Sequence, residues 1–394
     1  MKILDILPIR GSLGADVFRA KYQVMPNDYS FHILVTGDIA FDGQKFANAR
    51  LHVQAPPSKW TRWRKICQAL ALAIRAIRLA RQEKVDVIVC YDPLTLGIAG
   101  VLAKLFSGAR LVIEINGHIR NAEAASLGQG RAGKLKRAVY NAVGTMTLSI
   151  ADCVKLLNEK QYEEWKSVLS KKPVVIFHDF VPTGQFIVTG EDEQYVYCLG
   201  HPFYLKGVDV LIKAFGSIAQ EFPDYRLVIM GHCRSWELAQ WKAQIAMIER
   251  AEIHPPVPES EVATHLSRCS ILVNPSRSEA MGRVFIEAMA SGKACIGTRV
   301  GGIPNIIADG VSGYLVEPED VTGLAEKMRL LLADRPRRAR MGMAGKRITQ
   351  TILSSERYAL HYERMIGLMF NDNSTGTGIC FNGYVDTGLG GGLQ

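Results

Sequence analysis

The chain has 394 residues, enough for two or three domains, and its 48% hydrophobic and 22% charged residues are typical of a globular protein with a large core. Lys and Arg outnumber Asp and Glu by 47 to 38, and the net charge of +9 favours an anionic partner such as phosphate, an acidic membrane or a nucleic acid. The eight cysteines contain no Cys-x-x-Cys pair, which argues against a zinc site and a disulfide framework. The sequence predicts neither a signal peptide nor a membrane-spanning helix, and a reducing cytosol fits best.

Short apolar runs alternate with longer helical patterns along nearly the whole chain, which is typical of parallel sheets covered by helices. The predicted strands are Lys2–Leu7, Phe31–Thr36, Asp86–Tyr91, Arg110–Ile115 and Met146–Ile150 in the first half, and Tyr195–Leu199, Arg226–Met230, Ser270–Val273, Ala294–Gly297 and Gly313–Val316 in the second. The pattern therefore predicts an α/β fold in two halves.

A proline and two glycines interrupt the pattern in the polar segment 181–192, so we place the domain boundary there. The predicted domains are 1–183 and 184–350. The final segment, 371–394, contains seven glycines, no basic residue and little periodicity, and we expect it to be disordered.

The stretch Pro275–Ala290 follows an apolar run and is predicted to form a loop and then a helix. The backbone N–H groups of residues 281–283 would then lie at a helix N-terminus, which attracts an anion such as phosphate. Glu279 precedes the helix and Glu287 lies about one turn inside it, so both can face the same ligand and accept hydrogen bonds from sugar hydroxyls. The alternative is an ordinary βα unit with one surface acid and one helix acid.

Three further features stand where predicted strands end. Lys206 follows the strand Tyr195–Leu199 at a predicted helix start, where it would add a full charge to a phosphate site. Gly11 and Gly14 form a turn that would let a ligand approach the backbone, although an ordinary turn is an equal alternative. His118 follows the strand Arg110–Ile115 at a ligand-binding edge, with a structural histidine as the alternative.

Basic residues are concentrated in the segment 59–84, where they accompany Trp60, Trp63 and a helical apolar stripe, and again in 131–137. Tryptophan beside Lys and Arg suits the interfacial zone of an anionic membrane. A solvated surface is the alternative reading. Neither segment has the fold signature of a nucleic-acid reader, so no nucleic-acid partner is predicted.

Together these residues resemble the C-terminal domain of the retaining glycosyltransferases of the GT-B fold, usually called family 4. The resemblance is carried by Lys206-Gly207-Val208-Asp209, Leu227 to Gly231, Asn274-Pro275-Ser276, Glu279 with Glu287, and Gly301 to Pro304 followed by Asp309 to Val316. The first half agrees more loosely. The resemblance implies two Rossmann-like domains with parallel sheets facing across a cleft, and a C-terminal helix at about 352–370 that packs back on the N-terminal domain.

The resemblance also implies a nucleotide-sugar co-substrate of the UDP or GDP type, with no metal and no other cofactor. Lys206 would contact the diphosphate, Glu279 the sugar hydroxyls and Glu287 the ribose, with His118, Glu279 and Lys206 as the catalytic group. The implied donor-binding residues are Gly11, Gly14, His201, Lys206, Glu279, Met281, Gly282, Arg283, Val284 and Glu287. His201 and Asn305 depart from the family pattern, which usually has an arginine and an acid at these positions.

The implied activity is transfer of a sugar, with retention, from a nucleotide-diphosphate donor to a hydroxyl of a glycan or lipid-linked acceptor. The product would belong to a cell-surface polysaccharide, glycolipid or lipopolysaccharide, and the enzyme would be cytoplasmic and peripheral on the inner face of the plasma membrane. Two alternatives stay open: another GT-B enzyme, such as a nucleotide-sugar epimerase or a phosphorylase, and a non-catalytic binding protein of a glycan-assembly complex.

Overall fold

The computed structural model describes residues 1–8, 15–56, 62–117, 131–370 and 379–381. These residues form two compact units, each built around its own sheet. The first unit contains the described residues of Met1–Pro182 and Ser355–Asn382, and the second contains Thr183–Ser354.

The first unit has a largely parallel sheet. Its strands are β1 (Lys2–Ile6), β2 (Ser30–Thr36), β3 (Lys45–Phe46), β4 (Ala49–Gln54), β5 (Val87–Cys90), β6 (Arg110–Ile115), β7 (Cys153–Leu156), β8 (Val174–Ile176) and β15 (Ile379–Phe381). They lie in the order β15-β8-β7-β6-β5-β1-β2-β4-β3, and among these described strands β3 alone is antiparallel to its neighbour. The central strands β1 and β5 are apolar over most of their length because helices cover both faces of the sheet.

Helices pack on the two faces of this sheet. They are α1 (Ala15–Gln23), α2 (Arg62–Gln82), α3 (Thr95–Ser107), α4 (Arg131–Ile150), α5 (Glu159–Leu169) and α12 (Ser355–Gly367). α3 approaches one face so closely at Gly100 that a Cβ there would lie 2.2 Å from Sγ of Cys90. Tyr22 of α1 and Tyr358 of α12 belong to the core on the opposite face.

The second unit has a six-stranded sheet in which every neighbouring pair is parallel. Its strands are β9 (Tyr195–Leu199), β10 (Arg226–Met230), β11 (Ala251–His254), β12 (Ile271–Asn274), β13 (Ala294–Thr298) and β14 (Gly313–Val316). The order β11-β10-β9-β12-β13-β14 is that of a doubly wound dinucleotide-binding sheet. From β9 the chain adds β10 and β11 on one side, and it then returns to the other side of β9 to add β12, β13 and β14.

Six helices cover this second sheet. They are α6 (Val208–Ile218), α7 (Ser235–Ile245), α8 (Glu259–Arg268), α9 (Arg283–Ala290), α10 (Val321–Ala333) and α11 (Arg335–Thr351). α6 and α10 bury Phe215 and Met328 in the core of one face. On the other side α11 meets α9 closely, since a Cβ at Gly345 would lie 2.9 Å from Cγ of Met289.

One predicted strand is wrong. Met146–Ile150 forms the last turns of α4. Gly144, Thr147 and Leu148 are the buried positions there, and their spacing of three and four residues is the period of a helix. The strand that pairs with β6 begins only at Cys153, after Ala151 and Asp152.

Six of the described strands, β3, β4, β7, β8, β11 and β15, were not predicted from the sequence. Five of them have only two to four residues, and the longer β4 alternates apolar with polar side chains, so none forms a long apolar run. β15 pairs with β8 inside the segment that the sequence predicts to be disordered. The rest of that segment, 371–378 and 382–394, lies outside the described residues.

Candidate active site

The candidate site lies in the second unit, where β9 and β12 are neighbours in the sheet although about 70 residues separate them in the chain. The strand order reverses between them, so the loops that follow β9 and β12 diverge and leave a crevice at the carboxyl edge of the sheet. A pocket of about 370 Å³ occupies this position. Its walls are Leu199, Gly200, Lys206, Val257, Val262, Glu279, Arg283, Val284 and Glu287.

Two glycines shape the loop that follows β9. Gly207 has a φ of 69° in the left-handed region, and a Cβ there would lie 2.0 Å from the carbonyl oxygen of Pro275. Only glycine can occupy this position, because both the backbone conformation and the contact exclude a side chain. Gly200 lies beneath the stem of Lys206, since a Cβ at Gly200 would be 2.9 Å from Cε of that lysine. The loops after β9 and β12 are therefore in direct contact.

Asn274 joins the ends of the two central strands. Its side chain donates to the carbonyl oxygen of Leu199 (2.7 Å) and accepts from the Leu199 N–H (3.2 Å). Asn274 is fully buried, and these two bonds give its side-chain amide the hydrogen-bond partners that it would otherwise find in water. The sequence prediction gave Asn274 no role, although a polar residue at the end of an apolar strand is a signal that could have found it.

Two ion pairs line the pocket. Lys206 forms an ion pair with Glu279, and both side chains are 16% exposed. Arg283 donates from Nε to Oε1 of Glu287 at 2.6 Å. Glu287 is buried, whereas Arg283 is more than one-third exposed. The predicted side chains of Lys206, Glu279 and Glu287 therefore line one pocket, together with Arg283, for which the sequence predicted only a role of the backbone N–H.

Gly282 is the N-cap of α9, with a φ of 98°. A glycine in this place supplies the left-handed turn and brings no side chain that could cap the helix. The helix therefore begins at the pocket with the donor ends of its peptide groups directed toward the wall formed by Arg283 and Val284. Met281 is buried just before the helix and is not part of the wall.

Among the remaining predicted site residues, His201 does not line this pocket. His201 is exposed and makes an edge-to-face contact with His232, with 6.2 Å between the ring centroids. Gly11, Gly14 and His118 lie outside the described residues. Within the part of the chain that the structure describes, no group of three or more His, Cys, Asp or Glu side chains is arranged to hold a metal ion.

Residues 184–348 match the family model described as "Glycosyl transferases group 1". The second unit is a group 1 glycosyltransferase domain. The chain is 26% identical to N-acetyl-alpha-D-glucosaminyl L-malate synthase of Bacillus anthracis over 318 residues, which cover 78% of this chain and 81% of that protein.

Two solved structures resemble the whole chain in fold. Sucrose-phosphate synthase of Thermosynechococcus elongatus matches 94% of this chain and 99% of its own with a TM-score of 0.77 at 17% identity. HepE of Anabaena, solved in complex with UDP and glucose, matches 93% of this chain and 99% of its own with a TM-score of 0.70 at 16% identity. The chain is a glycosyltransferase, and the predicted GT-B fold and enzyme class are confirmed.

Charged side chains also meet at the carboxyl ends of the strands in the first unit of this glycosyltransferase. Lys155 of β7 lies 3.4 Å from Oε2 of Glu114 on β6 and 3.5 Å from Oδ1 of Asp179, which follows β8. Lys155 and Glu114 are fully buried. Burial alone would lower the pKa of Lys155, but the two carboxylates outweigh it and the pKa is raised. The sequence prediction did not identify this network.

The basic segments of the glycosyltransferase form neighbouring helices of the first unit. α2 packs along α3, and α3 contacts α4, where Gly97 lies close to Thr147. These three helices contain eleven Lys and Arg residues and no Asp or Glu. They also expose large apolar side chains, namely Trp63, Ile66, Leu70, Ile74, Ile98, Leu105, Phe106, Leu135, Val139 and Met146. Trp60 lies outside the described residues.

Among the described residues, the structure contains no helix that is both long enough and apolar enough to span a membrane.

Proposed function

We propose that this glycosyltransferase uses a nucleotide-diphosphate sugar and transfers the sugar to an acceptor hydroxyl with retention of the anomeric configuration. The observation that carries the proposal is the pocket at the reversal point of the second sheet, which places Lys206, Glu279 and Glu287 around one cavity. The UDP and glucose bound to HepE of Anabaena support a donor of this class.

In the proposed complex the diphosphate displaces Glu279 from Lys206. The ammonium group then contacts the phosphates, and Glu279 becomes available to accept a hydrogen bond from a hydroxyl of the donor sugar. Glu287, held by Arg283, accepts from the ribose hydroxyls. The ion pairs with Lys206 and Arg283 thus hold both carboxylates in place until the diphosphate takes the place of Glu279 at Lys206.

The leaving diphosphate gains negative charge in the transition state, and groups that are already in place stabilise it best. We assign this role to Lys206 and to the backbone N–H groups of residues 281–284 at the start of α9. Because these groups stabilise the negative charge of the diphosphate, the proposed reaction uses no metal ion. The donor contacts of His118, Gly11 and Gly14 remain predictions from the sequence.

The donor is tested by thermal shift with UDP-, GDP- and ADP-sugars. A ligand at one hundred times its Kd stabilises the folded protein by about 2.7 kcal/mol, so the true donor will raise Tm by several degrees. If no nucleotide sugar moves Tm and calorimetry detects no binding, the proposed donor class is wrong.

Incubation of the enzyme with that donor and candidate acceptors tests the reaction class. Transfer requires an acceptor hydroxyl, whereas an epimerase forms product without one and a phosphorylase requires free phosphate. The anomeric configuration of the product, read by NMR, tests retention. An inverted product would overturn that part of the proposal. Because the chain is a glycosyltransferase, we do not propose the non-catalytic alternative.

We also propose that the first unit binds an anionic membrane through α2, α3 and α4, where a lipid-linked acceptor would be found. The three helices carry eleven of the 47 basic residues of the chain and none of its 38 acidic residues, so the rest of the chain is nearly neutral. Leu105 and Phe106 of α3 are exposed by 66% and 60% between the two more basic helices. Cations attract anionic headgroups, and apolar side chains enter the interface.

Sedimentation with vesicles tests this surface. We expect binding to phosphatidylcholine vesicles that contain 30% phosphatidylglycerol, weaker binding to pure phosphatidylcholine, and at least a tenfold loss in the double variant Leu105→Ser, Phe106→Ser. Trp236→Ser is the matched control, because Trp236 is equally exposed on α7 of the second unit. Equal binding to both vesicle types, or an equal loss in the control, would rule out this membrane surface.

A further inference from the structure

Arg277 lies in the loop that follows β12, two residues before Glu279, and nothing in the sequence singled it out. Its guanidinium group donates to Oδ1 and Oδ2 of Asp209 at 2.7 and 2.8 Å and to the carbonyl oxygen of Tyr204 at 2.6 Å. It also lies over the ring of Tyr204, 4.1 Å from the centroid. The side chain is only 14% exposed.

A second carboxylate completes the cluster. Glu319, in the loop that follows β14, accepts from Nη2 of Arg277 at 2.9 Å and also pairs with its Nε. Glu319 has a φ of 66°, a left-handed conformation that non-glycine residues rarely adopt. Asp209 belongs to the first turn of α6. Arg277 therefore joins the loops that follow β9, β12 and β14.

The bonds of Arg277 enclose the backbone that carries Lys206. The backbone N–H of Arg277 donates to the carbonyl oxygen of Leu205 at 2.8 Å, and its side chain holds Tyr204 one residue earlier. Gly207 rests on Pro275 on the other side of the lysine. Lys206 thus projects from a backbone segment fixed on both sides, with its stem over Gly200.

We infer that Arg277 is a positioning residue that holds Lys206 at the phosphate end of the pocket. The inference rests on the proposed function, because it needs Lys206 to act on the donor diphosphate. A planar guanidinium has five donors and makes five hydrogen bonds here, to Asp209, Glu319 and the Tyr204 carbonyl, whereas an ammonium group has only three donors. The pKa of Asp209 is accordingly lowered: burial acts to raise it, and the hydrogen bonds from Arg277 outweigh burial.

A double-mutant cycle between Arg277 and Lys206 tests this role. An error of about 1 Å in the placement of a reacting group can cost about a hundredfold in rate, so Arg277→Met is expected to lower kcat about 10- to 100-fold. Arg277→Lys should rescue little. In a Lys206→Met background the same Arg277→Met change should cost less than about twofold, because no ammonium group is left to position. A merely structural role would give the same loss in both backgrounds.

Arg299→Met is the matched control. Arg299 also lies at the carboxyl edge of the second sheet and pairs with Asp309 and Glu317, without a bond to the loop that follows β9. Hydrogen exchange of the amides of residues 204–208 is expected to become at least tenfold faster in Arg277→Met and to stay unchanged in Arg299→Met. Equal exchange in the wild type and Arg277→Met, or equal kcat losses in the two backgrounds, would overturn the inference.

The exchange measurement needs no substrate. If the wild type binds no nucleotide sugar, the proposed function fails, while exchange at residues 204–208 still decides whether Arg277 holds this segment. If the donor binds and the cycle is additive, the function stands and the positioning role is wrong.

Discussion

Both units place charged side chains at the carboxyl ends of parallel strands, but the two clusters differ in their access to solvent. In the first unit Lys155 and Glu114 are fully buried beside the rings of Phe177 and Tyr358. In the second unit Lys206 and Glu279 line a pocket of about 370 Å³. A charged cluster at the strand ends can therefore be a structural network or a binding site, and its access to solvent distinguishes the two.

Burial also changes what each ion pair contributes. Removing one partner of a buried pair leaves a charge that neither water nor protein can compensate. A pair at an open pocket loses much less, because water reaches the remaining charge. The first cluster should therefore govern stability, and the second should govern ligand binding.

The largest effect is expected from Lys155→Met, which leaves Glu114 and Asp179 without their shared cation. We expect the free energy of unfolding of the first unit to fall by about 3–5 kcal/mol, as measured by urea denaturation. Adding Glu114→Gln to this variant should recover part of the loss, because it removes one of the two uncompensated charges. A Lys155→Met variant with wild-type stability would remove the distinction between the two clusters.

A smaller effect is expected from pH, again in the first unit. Nε2 of His52, on β4, lies 3.0 Å from Nδ1 of His32, on β2. The pKa of His52 is lowered to about 4, mainly by burial and next by the neighbouring His32. Arg50 and Arg75 act in the same direction, and Asp42 opposes them. An unfolded histidine has a pKa of about 6.5. Between pH 6.5 and 4, His52 is therefore protonated in the unfolded chain and neutral in the folded chain.

This histidine should therefore lower the free energy of unfolding by about 2 kcal/mol between pH 7 and pH 5. The urea midpoints of the wild type and His52→Gln at the two pH values measure this contribution. The variant should lose less stability on acidification than the wild type. An identical loss would show that His52 is not kept neutral by the fold.

The smallest effect concerns the ribose end of the pocket. Glu287→Gln keeps the size of the side chain and removes its charge, so donor affinity should fall about tenfold, which corresponds to the difference between a charged and a neutral acceptor. Calorimetry measures the change in Kd, and the urea midpoint of the variant serves as its control. Unchanged affinity would place the ribose elsewhere and leave Glu287 as a purely structural partner of Arg283.

Much of the fold could be predicted because apolar strands and helical periods are local features of the sequence. Each of the ten predicted strands except Met146–Ile150 overlaps a strand of the structure. That exception was an apolar run that fits either a strand or a buried helix, and packing against neighbours decided it. β15 could not be predicted, because its partner β8 lies about 200 residues away and the segment around it has no pattern of its own.

The site divides in the same way. Lys206, Glu279 and Glu287 could be predicted because each stands at a strand end or a helix start that the sequence marks. Arg277 could not, since its partners follow β9 and β14 and meet the loop after β12 only in the folded sheet. His201 was expected at the donor on the resemblance alone, and the structure places it at the surface beside His232.

The central claim is that the pocket of the second unit binds a nucleotide-diphosphate sugar through Lys206. Its most direct test is calorimetry of the wild type and Lys206→Met with the nucleotide sugar that gives the largest thermal shift, with Lys213→Met, an exposed lysine on α6, as the control. We expect at least a tenfold loss of affinity and a 10²- to 10³-fold loss of kcat in Lys206→Met, with urea midpoints close to the wild type and Lys213→Met unchanged. Equal affinity and turnover in Lys206→Met and the wild type would contradict the account.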